Sequence, residues 1–266
     1  MTIPEENSDQ KNSSISGEDK LRSLSRREAF PVPVDSVEVR QTHISEVFLG
    51  DTVVYKVKKP VKLPFLDFST LQLRHHFCKE EVRVNSPWAP GVYLGVVPIT
   101  LMNNEYRFEG DGPVVDWAVK MNRLPESETL RSRLNRGERE RRDLQCVARR
   151  IAEIHRRSTR LLGDDSRRAV ESFRSQLSDN WQFAEQLPDE IIDRGVLSRI
   201  RNHSENWLSR CDELLQSRAD QGLIREVHGD LRLEHVFYFP QLPPPSDIVI
   251  LDGIEFDPGL RQIDVV

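Results

Sequence analysis

Two short apolar runs near the end of the chain constrain its fold most. Both lie in residues 227–257, VHGDLRLEHVFYFPQLPPPSDIVILDGIEFD. Val236, Phe237, Tyr238 and Phe239 form the first run; Ile248, Val249, Ile250 and Leu251 form the second. Branched and aromatic residues fill both runs, and the stretch between them, residues 240–246, is rich in proline. The pattern predicts a β-hairpin. His228, Gly229 and Asp230 lead into it, and Asp252 stands where it ends. The two open ends of a hairpin lie side by side, so the two carboxylates should converge. One carboxylate that accepts a proton, beside another that holds a metal, is what phosphoryl transfer needs.

Bulk properties leave room for such a site and narrow the rest. With 266 residues, 37% of them hydrophobic and 30% charged, the chain is long enough for one large domain or two lobes with a real core. A net charge of −5 gives no overall electrostatic case for nucleic acid. No apolar run approaches the roughly 18 residues that a membrane span needs. Cys78, Cys146 and Cys211 are odd in number and widely spaced, which argues against a disulfide framework or zinc site and fits a reducing cytoplasm.

Residues 1–35 are polar with almost no apolar periodicity and read as a disordered leader. Folded sequence is predicted from residue 36. Alternation over residues 37–41, 47–49 and 52–58 predicts three strands. A helix is expected over residues 69–86, capped by Asp67 or Ser69 and ended by Pro87, with Leu73, Phe77 and either Cys78 or Glu81 on one face. Strands follow at residues 93–99, 106–108 and 114–121. Past Met121 the β signal fades. Residues 139–162, 169–185 and 190–217 read as helices, with Leu144, Val147, Ala148, Ile151 and either Ile154 or His155 buried on the first. Trp181, Phe183, Trp207, Leu208, Leu214 and Leu215 are expected to supply core bulk. The chain stops inside an apolar segment, residues 263–266, which reads as a fragment of a longer protein. The expected class is α+β in two lobes: a β-rich lobe over residues 36–121 and a mainly helical lobe over residues 122–266 that carries the hairpin.

The passages THISEVFLGDTVVYKVKKPVKLPFLDFST, HHFCKEEVRVN, WAVKMNRLP, IAEIH, VHGDLRLEHV and LDGIEFDPGLRQIDV carry a family likeness. The chain resembles the aminoglycoside phosphotransferase and choline kinase-like group, which shares the protein-kinase-like fold. More narrowly, it looks like the kinase-like half of bacterial proteins in which such a domain precedes a P-loop ATPase. No P-loop pattern occurs here, so an ATPase domain would lie beyond Val266. The resemblance implies a kinase transferring the γ-phosphate of ATP to a hydroxyl of a small molecule, with Mg²⁺ or alternatively Mn²⁺. Asp230 would orient the acceptor hydroxyl and take its proton. Asp252 would hold the metal, with Glu255 as a further ligand. Lys56 would reach the phosphates, paired with Glu81; Lys58 and Glu80 are their competitors. Val119 and Met121 would form the hinge that holds adenine, and Ser45 in the loop of residues 42–45 would cover the phosphates.

His235 is the remaining candidate metal ligand, but it departs from the family, which places asparagine there. Histidine offers nitrogen where Mg²⁺ prefers oxygen. That substitution motivates a second expectation, a catalytically weak nucleotide-binding regulatory module. A third is a metal-dependent hydrolase using the same carboxylates. His228 and His155 read as structural, as do Asp257 and Asp264, which would pair with Arg261 or cap backbone. The lysines at positions 56–62 could also form a basic patch, but no aromatic residues interleave them as a nucleic-acid surface would need.

Overall fold

The computed structural model describes residues 17–138 and 140–265. The first part of the expected leader, residues 1–16, lies outside the described residues. The rest of it corrects the expectation. Helix α1 (Gly17–Leu24) and a single 3₁₀ turn (Arg27–Ala29) pack onto the sheet. Leu24, Phe30 and Val34 are buried in one cluster with Tyr55 and Phe108. Phe30 meets the rings of Tyr55 and Phe108 edge-on, each at 5.3 Å. Lys20 donates to Asp116 Oδ2 at 2.8 Å, and Arg74 donates to Oδ1 at 2.7 Å. Too few apolar residues, too widely spaced, hid this segment from periodicity.

Strands β1 (Glu38–Gln41), β2 (Ser45–Leu49) and β3 (Val53–Lys58) run up and down as the alternation predicts. A small ribbon of β4 (Lys62–Leu63) and β5 (Leu66–Asp67) leads to helix α2 (Leu71–Asn85). Then come β6 (Tyr93–Met102), β7 (Glu105–Phe108) and β8 (Val114–Asn122). The six-stranded antiparallel sheet has the order β1-β2-β3-β8-β6-β7.

Period-two alternation gives β3 two different faces. Val53, Tyr55 and Val57 enter the core shared with α1. Val54 faces the opposite core with Cys78, Val119 and Met121, and Lys56 and Lys58 share that face. Helix α2 packs there. Its cap is Thr70, whose Oγ1 accepts the Leu73 N–H at 3.2 Å; Asp67 instead accepts the Ser69 N–H at 3.0 Å. The helix does not bury the expected Leu73 and Phe77. Its buried stripe is Arg74, Cys78, Glu81 and Asn85, because the sheet face beneath offers the charged partners Lys56, Lys58 and Asp116 beside apolar Val54 and Val119.

The second half holds α3 (Leu130–Asn135), α4 (Arg141–Arg157), α5 (Asp164–Glu185), α6 (Arg194–Arg210) and α7 (Asp212–Asp220). After β9 (Ile224–Glu226) comes the expected hairpin, β10 (Val236–Tyr238) with β11 (Ile248–Ile250), in register Val236 opposite Ile250. β12 (Gln262–Asp264) pairs with β9. On α4, Val147 and Ile154 are buried but Leu144 is exposed. Phe183, Trp207 and Leu214 are exposed too, contrary to expectation. Trp88, Leu130 and the hairpin residues Val236, Tyr238, Ile248 and Ile250 fill this core with Val147 and Ile154. Phe237, Phe239 and Val249 of the hairpin reach across to the sheet, packing with Val54 and Met121. The architecture is mixed α+β, with the sheet in the first half and most helices in the second. Among the described residues no helix is long and apolar enough to cross a membrane.

Candidate active site

The buried stripe of α2 meets the charged face of β3. Lys56 Nζ lies 2.8 Å from Glu81 Oε1, and Lys58 Nζ lies 2.7 Å from Glu81 Oε2. Lys58 also donates to Glu255, and Lys56 donates to Asp252 Oδ1 at 2.8 Å. Lys58 and Glu81 are almost wholly buried, at 0% and 1% side-chain exposure, so their charges survive only because each has a partner. Burial acts against the charge of Lys56, but Asp252, Glu81 and Glu255 outweigh it and hold its pKa well above the ordinary lysine value. Burial likewise pushes Glu81 up, and the two ammonium groups bring it back below its ordinary value. Glu80, the competitor for this place, faces outward and pairs with Arg83 at 2.9 Å. Of the two lysines, Lys56 carries its charge toward the cleft and Lys58 carries its own inward.

Asp252 comes two residues after β11, with φ 63°, a left-handed conformation that aspartate tolerates better than most residues. Burial would raise its pKa, yet the Lys56 ammonium overrides that and lowers it to about 2. Asn85 holds the next residue on both sides. Its Oδ1 accepts the Gly253 N–H at 2.7 Å and its Nδ2 donates to the Gly253 carbonyl at 3.2 Å. A Cβ at position 253 would stand 3.0 Å from Asn85 Oδ1 and 3.2 Å from the His228 carbonyl, so glycine allows this close approach. Asn85 was missed in the sequence. Its one signal was a polar residue four positions after Glu81, on the same helix face.

His228 laces the two ends of the hairpin together. Its Nε2–H donates to the Leu251 carbonyl at 2.7 Å, and Nδ1 accepts the Asp230 N–H at 3.3 Å. Burial, foremost, lowers its pKa. Trp88 stands edge-on to His228 at 5.5 Å and to His155 at 5.8 Å, so both histidines pack structurally, as read from the sequence. Asp230 lies at the hairpin entrance, half-buried, and pairs with Arg232 at 3.0 Å. Arg232 also donates to His235 Nε2 at 3.2 Å, while His235 Nδ1–H donates to the Asp230 carbonyl at 2.8 Å. Both ring nitrogens of His235 are thus engaged.

Lys56, Asp252 and His235 line one cleft of about 480 Å³. Its walls come from β2 and β3, from the crossing segment that follows β8, and from the hairpin. Thr42, Met121, Arg123, Leu124 and Pro125 contribute, as do Arg131 and Phe237. Five expected residues do not line it: Asp230, Glu81, Glu255, Val119 and Ser45. Val119 is not on the cleft: its strand is paired with β3 on one side and β6 on the other, and its side chain is fully buried. The cleft begins two residues later, at Met121. Ser45 is buried opposite Lys58 on β2, its N–H donating to Thr42 Oγ1 at 2.9 Å, so Thr42 rather than Ser45 faces the opening.

The expected metal ligands are not gathered into a cage. Glu255 is spent on buried Lys58, and the lone pair of His235 Nε2 on Arg232. Among the described residues no three His, Cys, Asp or Glu side chains are grouped to hold an ion. The donor chemistry fits a hard cation held by one protein carboxylate, that of Asp252; only its Oδ1 accepts a hydrogen bond among the described residues. Asp257 caps backbone as expected, accepting the Gly259 N–H at 2.8 Å. Asp264 pairs with Arg218 rather than Arg261, which instead meets Glu226 at 2.8 Å.

Comparison with known proteins adds relatives without assigned roles. No family profile matches the chain, and no solved structure does. The chain is 27% identical over 238 residues to uncharacterized proteins of Mycobacterium tuberculosis, strains H37Rv and CDC 1551, and of Mycobacterium bovis. The match covers 89% of this chain and 45% of each relative, so the chain spans under half the length of these curated relatives.

Proposed function

We propose that the chain is an ATP-dependent phosphotransferase acting on a hydroxyl group of a small molecule, with the bilobal architecture of the aminoglycoside phosphotransferase-like kinases. One observation carries this reading: Lys56, anchored by buried Glu81, meets Asp252 at 2.8 Å on the wall of a cleft that also receives the hairpin. A cation and an anion fixed at one opening match what a metal-bound triphosphate presents. Lys56 contacts the phosphates, and Asp252 holds Mg²⁺ or Mn²⁺, which would neutralise charge on them. Met121 and the backbone of residues 122–125 border the base. Asp230 orients the acceptor hydroxyl and takes its proton once Arg232 swings aside. That movement costs little, since the Arg232–Asp230 pair is largely exposed. Catalysis would come mainly from positioning and charge neutralisation.

A second reading rests on Arg232 and His235. Arg232 occupies both the Asp230 carboxylate and the His235 ring, where the family places an asparagine oxygen for the metal. A catalytically weak nucleotide-binding regulatory module would tolerate that arrangement. The chain's three free cysteines support a reducing, cytoplasmic setting. A second, ATPase domain beyond Val266 belongs to the proposal as a partner.

The experiment is a turnover assay with ATP and Mg²⁺ against a panel of hydroxyl compounds, run beside nucleotide binding. A kinase forms ADP and phosphorylated acceptor, and Asp230→Ala abolishes both. Binding without turnover against any acceptor selects the regulatory reading. Phosphate release without acceptor marks a hydrolase.

A further inference from the structure

A second cavity, of about 410 Å³, shares no lining residue with the cleft. It opens between the last turns of α2, which give Arg83 and Val84, and the second half of α4, which gives Arg150, Ile154 and Arg157. Pro87, Trp88 and Val227 make its wall apolar. Three guanidinium groups and one carboxylate, Glu226, border it.

Two of the arginines are accounted for by ordinary pairing. Arg83 pairs with Glu80 at 2.9 Å and Glu226 at 3.3 Å, and exposed Arg157 pairs with Glu153 at 2.7 Å. Arg150 differs. Its side chain is 8% exposed, yet among the described residues its one polar contact is a long bond from Nη1 to Glu153 Oε2, at 3.5 Å. Its Nε is buried with no acceptor among the described residues. Glu153 already neutralises Arg157 at the shorter distance. A guanidinium this buried is costly unless an anion meets it, and its planar fork matches a phosphate or carboxylate.

We propose that this cavity binds a small molecule bearing a phosphate or carboxylate on an apolar body. Arg150 and Arg157 hold the oxyanion, and the body lies against Pro87 and Trp88. The site is independent of nucleotide binding in the cleft.

The test is calorimetric titration of phenyl phosphate and benzoate, with inorganic phosphate for comparison. It is run in a Lys56→Met background, so that anion binding in the cleft does not contribute. At least one aromatic probe binds, the tighter of the two naming the oxyanion. Arg150→Met weakens it by roughly tenfold or more, the loss of a charge-assisted fork. No binding by either probe, or equal binding after Arg150→Met, overturns the proposal. Should Arg150→Met fail to fold, Arg157→Ala, at an exposed position, replaces it. It too must weaken the probe, and unchanged binding overturns the site.

Discussion

Asn85 Oδ1 accepts the Gly253 N–H at 2.7 Å while Asn85 Nδ2 donates to the Gly253 carbonyl at 3.2 Å. One side chain of α2 therefore fixes the turn that carries Asp252. One helical turn earlier on the same face, Glu81 fixes Lys56. The two groups that pair at 2.8 Å on the cleft wall, Lys56 and Asp252, are thus held by one helix, although they lie far apart in sequence.

Asn85→Leu fills the same space and strands the Gly253 N–H and carbonyl in a buried site. The expected loss is about 2–4 kcal/mol, the cost of leaving both groups unsatisfied. Urea denaturation measures it. An unchanged midpoint would mean that the turn holds without α2.

Lys58 tests the buried charge cluster. Lys58→Met removes the cation between Glu81 and Glu255 and should cost about 3–5 kcal/mol, since it leaves Glu255 buried without its partner. Lys58→Met combined with Glu255→Leu should recover most of that loss, because an apolar pair of similar volume suits the space. Additive losses in the double variant, read from the same denaturation curves, would contradict the pairing.

Acid sensitivity follows from Asp252. Its pKa is lowered to about 2 in the folded chain, where Lys56 overrides the effect of burial. An unfolded aspartate titrates near about 3.9. A depressed carboxylate contributes stability that is present above the unfolded value and lost as pH falls through the folded one. The stability gap between wild type and Asp252→Asn should therefore be full near pH 5 and shrink between about pH 4 and 2. Thermal melts across that range give the gap. A constant gap would refute the Lys56–Asp252 pair.

The segment before β1 is part of the core. Leu24 is fully buried beside Tyr55 and Phe108. Leu24→Ala should cost about 2–5 kcal/mol, the range for a leucine cavity. A loss below about 0.5 kcal/mol, typical of surface positions, would return residues 17–35 to the status of a loose leader.

Much of the architecture could be read from the residues. β3 and the hairpin announced themselves because their apolar runs are short, branched and bounded by turn residues. Helix α2 was placed correctly but turned wrongly. Periodicity weights apolar residues, and here the buried stripe is Arg74, Cys78, Glu81 and Asn85. Tertiary pairing with Lys56, Lys58, Asp116 and Gly253, invisible in local sequence, decides that face. The same limit explains Glu255: only the fold reveals that Lys58 claims it. Val119 and Ser45 were displaced for another reason. A strand motif fixes which residues alternate, whereas strand order fixes which of them reach a cleft. Exposed Phe183 and Trp207 show that bulk alone does not place a residue in the core.

The kinase and the regulatory readings alike require a nucleotide site in the cleft. Calorimetric titration of ATP with Mg²⁺ into wild type and into Lys56→Met tests it most directly. A nucleotide site in this cleft gives saturable binding to wild type, weakened roughly tenfold or more once the phosphate-facing charge is gone. No binding to wild type, or equal binding to Lys56→Met, would contradict it.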